Sequence, residues 1–348
     1  VNRVAILTEC KPYNPNRTFT EQLNSVGGNT GNNAYITALM DIFSAARVDY
    51  ELLDKTLEDD EYDVYIVGNL SWIVEDTPLP DFYYDAFRKI TNKGKKFVPI
   101  SVGTQVFDYK ADFKYDPTTL SFLKEISEQA VIACRGEYTA ELLSKNGVKN
   151  VEVIGCPSLF HTKDPNFKLS KRNYLRKNPR IATGITPWPN EKMSTSLVKE
   201  YLGYAIRNKI DFIEQADNSW IEFLSETDKS FKGLFHTYFK QFGKMFFDIE
   251  EWRVYSRELD FSFSGRFHGN VIPLLEGVPS LFISIDARTK EMCEYFKFPT
   301  IDIQEFCFDK TLEELYEMAD YTEFNKSYSG AFIKFENYVE KNNLKIVK

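Results

Sequence analysis

Residues 262–281 read SFSGRFHGNVIPLLEGVPSL. The alternating Phe and Ser before Gly265 suit a strand over 260–264, and the apolar run after Gly269 suits a helix over 270–277. Gly277 and Pro279 end that helix, and SLFIS opens another strand over 280–285. Two strands joined through a helix run parallel, because the helix carries the chain back to the end of the sheet where the first strand began. This unit sets the fold class as α/β.

The same rhythm extends in both directions. Toward the N-terminus, strands are expected over 3–8, 50–53, 64–67, 97–101, 130–134 and 151–154, with helices over 33–46, 82–92, 118–128 and 137–145. The polar, basic stretch 162–179, TKDPNFKLSKRNYLRKNP, interrupts this alternation and reads as a linker. A second series follows, with strands over 180–185, 211–215 and 244–247 and helices over 192–208, 249–257 and 289–296. Residues 321–342 form an amphipathic helical pattern. The expected organisation is two Rossmann-like parallel-sheet domains facing a cleft, over 1–165 and 180–320. The linker is assigned to 166–179 and a C-terminal helix to 321–348. Ligands on such sheets sit beyond the carboxyl ends of the strands, so motifs at strand-to-helix turns carry the functional interest.

Composition narrows the partners. With 51 acidic against 43 basic residues, a net charge of −8 and no long basic run, the chain lacks the positive face that nucleic-acid binding requires. The 29 Phe and 20 Tyr are expected mainly in cores. Five scattered cysteines without a C-x-x-C pair suit a reducing compartment. VNRVAILTEC begins directly as a strand, so no signal peptide is expected, and no apolar run approaches the ~20 residues of a membrane span. A cytoplasmic location is therefore expected.

In SFSGRFHGN, Gly265 and Gly269 allow a tight turn and close approach of a ligand to the backbone. The helix that follows offers unpaired N–H groups and the positive end of its dipole. Arg266 adds a planar fork of donors suited to carboxylate or phosphate, and His268 can transfer a proton near neutral pH. Two readings stand at this point. One is an anion site with a proton donor attached; the other is a structural turn with Arg266 ion-paired and His268 capping the helix.

Four stretches in order resemble the polysaccharide pyruvyl transferase family. SGRFHGNVIPLLEGVPSLFIS is similar to its C-terminal Arg-aliphatic-His-Gly signature. GGNTGNNAYITAL, residues 27–39, resembles its N-terminal glycine-rich turn, and ISVGTQ, residues 100–105, resembles its central strand-end turn. ACRGEYTAELLSKNGVKNVEVIGCPSLF, residues 133–160, resembles its Val-Arg-x-x-x-Thr helix and Gly-x-Pro-Ser strand end.

The resemblance implies a GT-B-like fold and transfer of a pyruvyl group from phosphoenolpyruvate to two hydroxyls of a sugar, forming a ketal. The implied acceptor is a surface-polysaccharide sugar or a lipid-linked oligosaccharide, which would bring the protein to a membrane surface without a membrane span. It implies catalytic roles for Arg135, Arg266 and His268, with the arginines holding the anionic groups and His268 acting as general acid or stabilising the departing phosphate. Ser264, Gly265, Phe267, Gly269, Asn270 and Arg288 are expected around the donor, Arg288 standing where the family often carries lysine. Asn29, Gly31, Asn32, Gly103, Thr104, Gln105, Pro157, Ser158 and Trp188 are expected on the acceptor side or in the cleft. No metal or other cofactor is implied.

Two departures stand out. Asn32 replaces the aspartate common in the family, which removes a base there, and Phe267 replaces a leucine. Outside the motif, Arg135 could instead pair with Glu137 or Glu141. Trp188 could stack on a sugar or anchor a loop, His161 could line the cleft or lie at the surface, and His236 is expected to be structural. Glu222 and Glu226 read as a solvated helix face. The alternatives are a GT-B glycosyltransferase using a nucleotide-sugar and a non-catalytic glycan-binding or scaffold protein. Many nucleotide-sugar enzymes place a glutamate five residues before the Gly-x-Pro glycine; here that position is Ile272.

Overall fold

Runs of β-branched and aromatic residues become strands whose central members are buried on both faces, the pattern of parallel sheets covered by helices. The computed structural model describes residues 2–68, 70–187, 193–215 and 219–347. Its first sheet has the order β2-β1-β3-β4, from β1 (Val4–Leu7), β2 (Ala46–Val48), β3 (Val64–Val67) and β4 (Lys96–Pro99). Strands β5 (Ile132–Cys134) and β6 (Val151–Val153) pair with each other and join it through a bridge between Val102 and Cys134. The second sheet comprises β7 (Ile181–Gly184), β8 (Asp211–Ile213), β9 (Gly243–Lys244), β10 (Phe261–Ser264), β11 (Ser280–Ser284) and β12 (Thr300–Asp302). Its order is β12-β11-β10-β7-β8-β9.

Every described pairing is parallel. Strand order reverses once in each sheet, between β1 and β3 and between β7 and β10. A crevice opens beyond the carboxyl ends of the strands at such a reversal. The architecture is GT-B-like: two Rossmann-like parallel sheets whose switch points line a shared cleft.

The unit that opens the sequence reading is a βαβ crossover, with one correction. Its helix spans Phe267–Leu275, so it starts three residues before the expected Asn270. Arg266 is extended (φ −98°, ψ 118°) and caps the helix, which puts His268 in its first turn. Pro273 sits inside the helix and has no N–H for the carbonyl of Gly269 four residues back. Ser262 Oγ supplies the missing donor to that oxygen at 3.1 Å.

Two expected strands differ. Residues 50–53 are not a strand, because Asp49 accepts the N–H of Glu51 and starts a 3-10 turn, Tyr50–Leu52, that runs into helix Leu53–Glu58. The strand of that region is β2. The strand expected over 244–247 stops at Lys244, because Phe246 leaves the sheet to stack on Trp252 and Phe247 packs edge-on against Phe19. Helices Phe19–Ser25 and Leu312–Met318 and strand β12 were not anticipated.

Residues 162–179 contain no helix or strand, yet Leu169 and Leu175 are buried. The backbone of Leu169 exchanges two hydrogen bonds with the Asn325 side chain (2.8 and 2.9 Å). Helix Thr322–Lys341 runs back onto the first sheet. There Phe335 stacks on Phe160 at 4.3 Å, Tyr338 Oη donates to the carbonyl of Pro99 and Tyr328 Oη to that of Leu159. One apolar core joins both sheets and this helix. Among the described residues no helix is long and apolar enough to cross a membrane.

Candidate active site

At the switch point of the second sheet, β7 and β10 end side by side, and Ser264 builds the turn between strand and helix. Its hydroxyl donates to the carbonyl of Gly184 (2.9 Å) and accepts the N–H of Arg266 (3.0 Å). Asn270, fully buried, donates from Nδ2 to the carbonyl of Ser264 (2.8 Å) and accepts from Ser262 Oγ (3.2 Å). Ser264 and Asn270, expected around the donor, therefore spend their polar groups inside the turn. Gly269 is needed for close approach: a methyl group there would lie 2.9 Å from Ser264 Oγ.

Arg266, Phe267 and His268 leave the turn toward the cleft, which has a volume of about 800 Å³. The Arg266 guanidinium is hydrogen-bonded to Thr186 at the end of β7. Phe267 packs toward Phe282 and Phe298 and forms part of the wall. His268 Nε2 lies 3.6 Å from Cys156 Sγ, and its ring centroid is 6.4 Å from that of Tyr35. Burial, then the charges of Arg135 and Arg266, push its pKa down to about 3.

Arg135 reaches the same cleft from the first sheet, at the end of β5. Its Nε donates to the carbonyl and hydroxyl oxygens of Ser101 (3.2 and 3.1 Å). Among the described residues it forms no ion pair; of the two carboxylates weighed as partners, Glu141 pairs instead with Lys145. Burial and then the nearby charge of Arg288 lower its pKa, both signs of a cation held where charge is costly. Arg288, in helix Ala287–Phe296, pairs with Asp286 (3.0 Å) and lies over the Trp72 ring at 5.1 Å.

The remaining expected residues divide. Asn29 and Asn32 line the cleft, although the Asn32 amide also ties down its own turn through the carbonyl of Val26. Gly31 sits where the two sheets meet: a methyl group on it would come within 2.5 Å of Gln215 Oε1 and 3.1 Å of His268 Nδ1. Gly103 packs under the Arg135 side chain, and Thr104 is buried against Thr139 and Tyr115. The Gln105 backbone N–H bonds to the carbonyl of Ile73. Pro157 and Ser158 are buried in a 3-10 turn, with Ser158 Oγ 3.1 Å from Cys156 Sγ. Gly103, Thr104, Pro157 and Ser158 thus buttress the wall behind Arg135 and Cys156. Trp188 lies outside the described residues, as does the side chain of Glu222. His161 pairs with Asp41 at 2.6 Å, and His236 is exposed rather than packed.

Sequence reading missed several cleft residues, chiefly Glu9, Tyr35, Trp72 and Gln215. Glu9 follows β1 and Gln215 follows β8, so the rule that strand carboxyl ends carry ligand sites could have found both. Glu9 is exposed to the cleft and makes no hydrogen bond or ion pair among the described residues. A methyl group on Gly27 would lie 3.1 Å from Glu9 Oε1 and 3.3 Å from Asn32 Nδ2, so carboxylate and amide converge on one point.

A sequence profile described as polysaccharide pyruvyl transferase matches residues 29–287, taking in Arg135, Arg266 and His268. The chain belongs to the polysaccharide pyruvyl transferase family. No protein with a curated description matches it. Among solved structures, a Methanocaldococcus jannaschii UDP-GlcNAc 2-epimerase in complex with UDP-GlcNAc and UDP is similar at 9% identity, covering 97% of this chain and 99% of its own, with a TM-score of 0.49. S. aureus MnaA with UDP is 10% identical over 99% of each chain, with a TM-score of 0.46. Anabaena HepE with UDP and glucose is 8% identical over 98% of this chain and 96% of its own, with a TM-score of 0.44. Within the pyruvyl transferase family, this chain's own cleft brings Arg266, Arg288 and His268 of the second sheet to face Arg135, Glu9 and Asn32 of the first.

Proposed function

We propose that this transferase moves the pyruvyl group of phosphoenolpyruvate onto two hydroxyls of a sugar in a polysaccharide or its lipid-linked precursor, releasing phosphate. Phosphoenolpyruvate carries a carboxylate and a phosphate a few bonds apart and calls for several cationic donors in one pocket. The observation that carries the reading is Arg135, a guanidinium without an ion pair among the described residues, facing the cleft that Arg266, Arg288 and His268 also line. An anion bound there would offset the cost of shielding that charge.

The chemistry follows from this placement. Protonation of the vinyl carbon, C3, makes it a methyl group and leaves cationic character at C2. A sugar hydroxyl bonds to C2 and gives up its proton; the C2–O bond to phosphate then breaks, and the second hydroxyl closes the ketal. Of the two hydroxyl protons, one balances that taken up by C3 and one leaves with phosphate. Burial and the two arginines hold His268 neutral, with a pKa of about 3. The negative charge of the bound donor opposes the field of the arginines and raises that pKa, so His268 takes up its proton when there is something to protonate. On the opposite wall Glu9 is the carboxylate placed to receive the hydroxyl proton, beside Asn32. Glu9→Gln should keep donor binding yet lose about 100-fold or more of acceptor-dependent phosphate release; an unchanged rate removes Glu9 from the reaction. Phosphoenolpyruvate is made in the cytoplasm, and the reaction is assigned there.

A nucleotide-sugar donor finds less support. The position where a ribose-gripping glutamate would stand is Ile272, buried against a small core around Trp252. Thermal-shift titration with phosphoenolpyruvate against UDP-, GDP- and CMP-sugars tests the choice, since ligand binding raises the melting temperature by mass action. Stabilisation by phosphoenolpyruvate is expected; stabilisation by a nucleotide-sugar alone would overturn the proposal.

A further inference from the structure

We infer that Gln215 is a donor-binding residue whose side-chain amide, with the first turn of helix Phe267–Leu275, holds the phosphate of phosphoenolpyruvate. The inference deepens the pyruvyl-transfer reading and rests on it. Gln215 lies just past the carboxyl end of β8, is only 2% exposed and lines the cleft. Its Nε2 is buried and has no hydrogen-bond partner among the described residues. Folded proteins rarely leave such a donor unmatched, and one that lines a ligand cleft finds its acceptor when the ligand arrives.

The amide is fixed in place. The N–H of Thr30 donates to the Gln215 backbone carbonyl at 3.0 Å, tying the residue to the glycine-rich turn of the first sheet. A methyl group on Gly31 would meet Gln215 Oε1 at 2.5 Å, and one on Gly269 would meet Nε2 at 3.3 Å. The carbonyl end of the side chain therefore faces Gly31, and the N–H end faces the first turn of the helix. That helix has nine residues, and its first backbone N–H groups have no partner within it. Donors from the helix end and from Gln215 thus converge beside His268, where an oxygen-rich tetrahedral group gains most.

A neutral donor suits this place. Phosphate changes its protonation between substrate and product, and an amide can donate to either form. The division of labour places phosphate at Gln215, His268 and the helix end, and carboxylate at Arg135 and Arg288.

Calorimetric titration with phosphoenolpyruvate, inorganic phosphate and pyruvate tests this on the wild type, Gln215→Ala and Gln215→Glu. The alanine variant should weaken phosphoenolpyruvate and phosphate by about tenfold and leave pyruvate within about twofold. The glutamate variant should lose both phosphate-bearing ligands by more than about 100-fold, because a carboxylate repels where the amide donates. Wild type that binds phosphoenolpyruvate, with Gln215→Ala binding it equally, overturns the inference and leaves the pyruvyl reading standing. Tight phosphate binding by Gln215→Glu also overturns it. A wild type that binds neither phosphoenolpyruvate nor phosphate overturns the pyruvyl reading itself, and the role of Gln215 with it. If Gln215→Ala melts early, Gln215→Asn, which keeps the amide and withdraws it from the helix, carries the same expected loss.

Discussion

Arg135 leaves its strand end with Ser101 as its hydrogen-bond partner and Arg288 as a like-charged neighbour. Such a group costs stability until an anion arrives. Arg135→Met should therefore melt within about 1 kcal/mol of the wild type, or above it, without ligand. The same variant should show no melting shift on addition of phosphoenolpyruvate. His268 makes a second prediction. Its folded pKa of about 3 lies below its ordinary 6.5, so the unfolded chain takes up that proton first as pH falls. Its share of stability is present above pH 6.5 and is lost as pH falls toward 3. Donor binding at mildly acid pH should draw a proton onto it, seen as a buffer-dependent binding enthalpy that His268→Gln lacks. Arg135, Arg266 and His268 were legible because each sits beside glycine at a strand-to-helix turn. Gln215 and Glu9 are ordinary residues in ordinary strings; the burial of Gln215 and the neighbours of Glu9 single them out, and neither is written in a single sequence.

Helix Ala287–Phe296 docks on helix Glu137–Lys145 through one carboxyl group. Glu291 accepts the Thr139 N–H at 3.0 Å and the Thr139 hydroxyl at 2.9 Å, and it presses on Gly136, where a methyl group would lie 2.5 Å from Glu291 Cβ. Burial raises its pKa to about 7, against the opposing effects of the Thr139 donors and Arg135. The folded state binds this proton more tightly than the unfolded state, so the contribution is full below pH 4.5 and lost as pH rises through 7. Glu291→Gln should remove that slope and gain about 1–3 kcal/mol on the wild type at pH 8, read from chemical denaturation at pH 5 and pH 8. At this scale the sequence located most helices, with the starts at Glu137 and Ile249 exact, but placed the start of the helix that carries His268 three residues late. The helix carrying His268 begins at Phe267 because Ser264 Oγ holds the Arg266 N–H and Ser262 Oγ covers the gap left by Pro273. Both bonds cross from strand to helix, and residue periodicity does not reveal them. The apolar run after Asp49 looked like a strand because a cap of one carboxylate on one N–H leaves no periodic trace.

The parallel α/β class and the cleft between two sheets were readable from the alternation of short apolar runs with helical patterns. The path of the last helix was not. Its amphipathic pattern announces that one face is buried but does not say against what. In the fold it crosses back from the second sheet to close the first, with Phe335 on Phe160, Tyr338 on Pro99 and Asn342 exchanging two hydrogen bonds with the backbone of Val131. A chain ending at residue 320 should therefore lose more than a tail: fluorescence of a hydrophobic dye and loss of the cooperative melt should report an open first sheet. A truncated chain that melts like the full one would show the helix to be dispensable. The same path orders events during synthesis. Strands β1 to β6 leave the ribosome before helix Thr322–Lys341, so the face of Phe160 waits for Phe335, a residue made much later, to cover it. The first sheet is made before the second yet is covered only by a helix made after both, so for that interval the growing chain holds open an aromatic face that the folded protein buries.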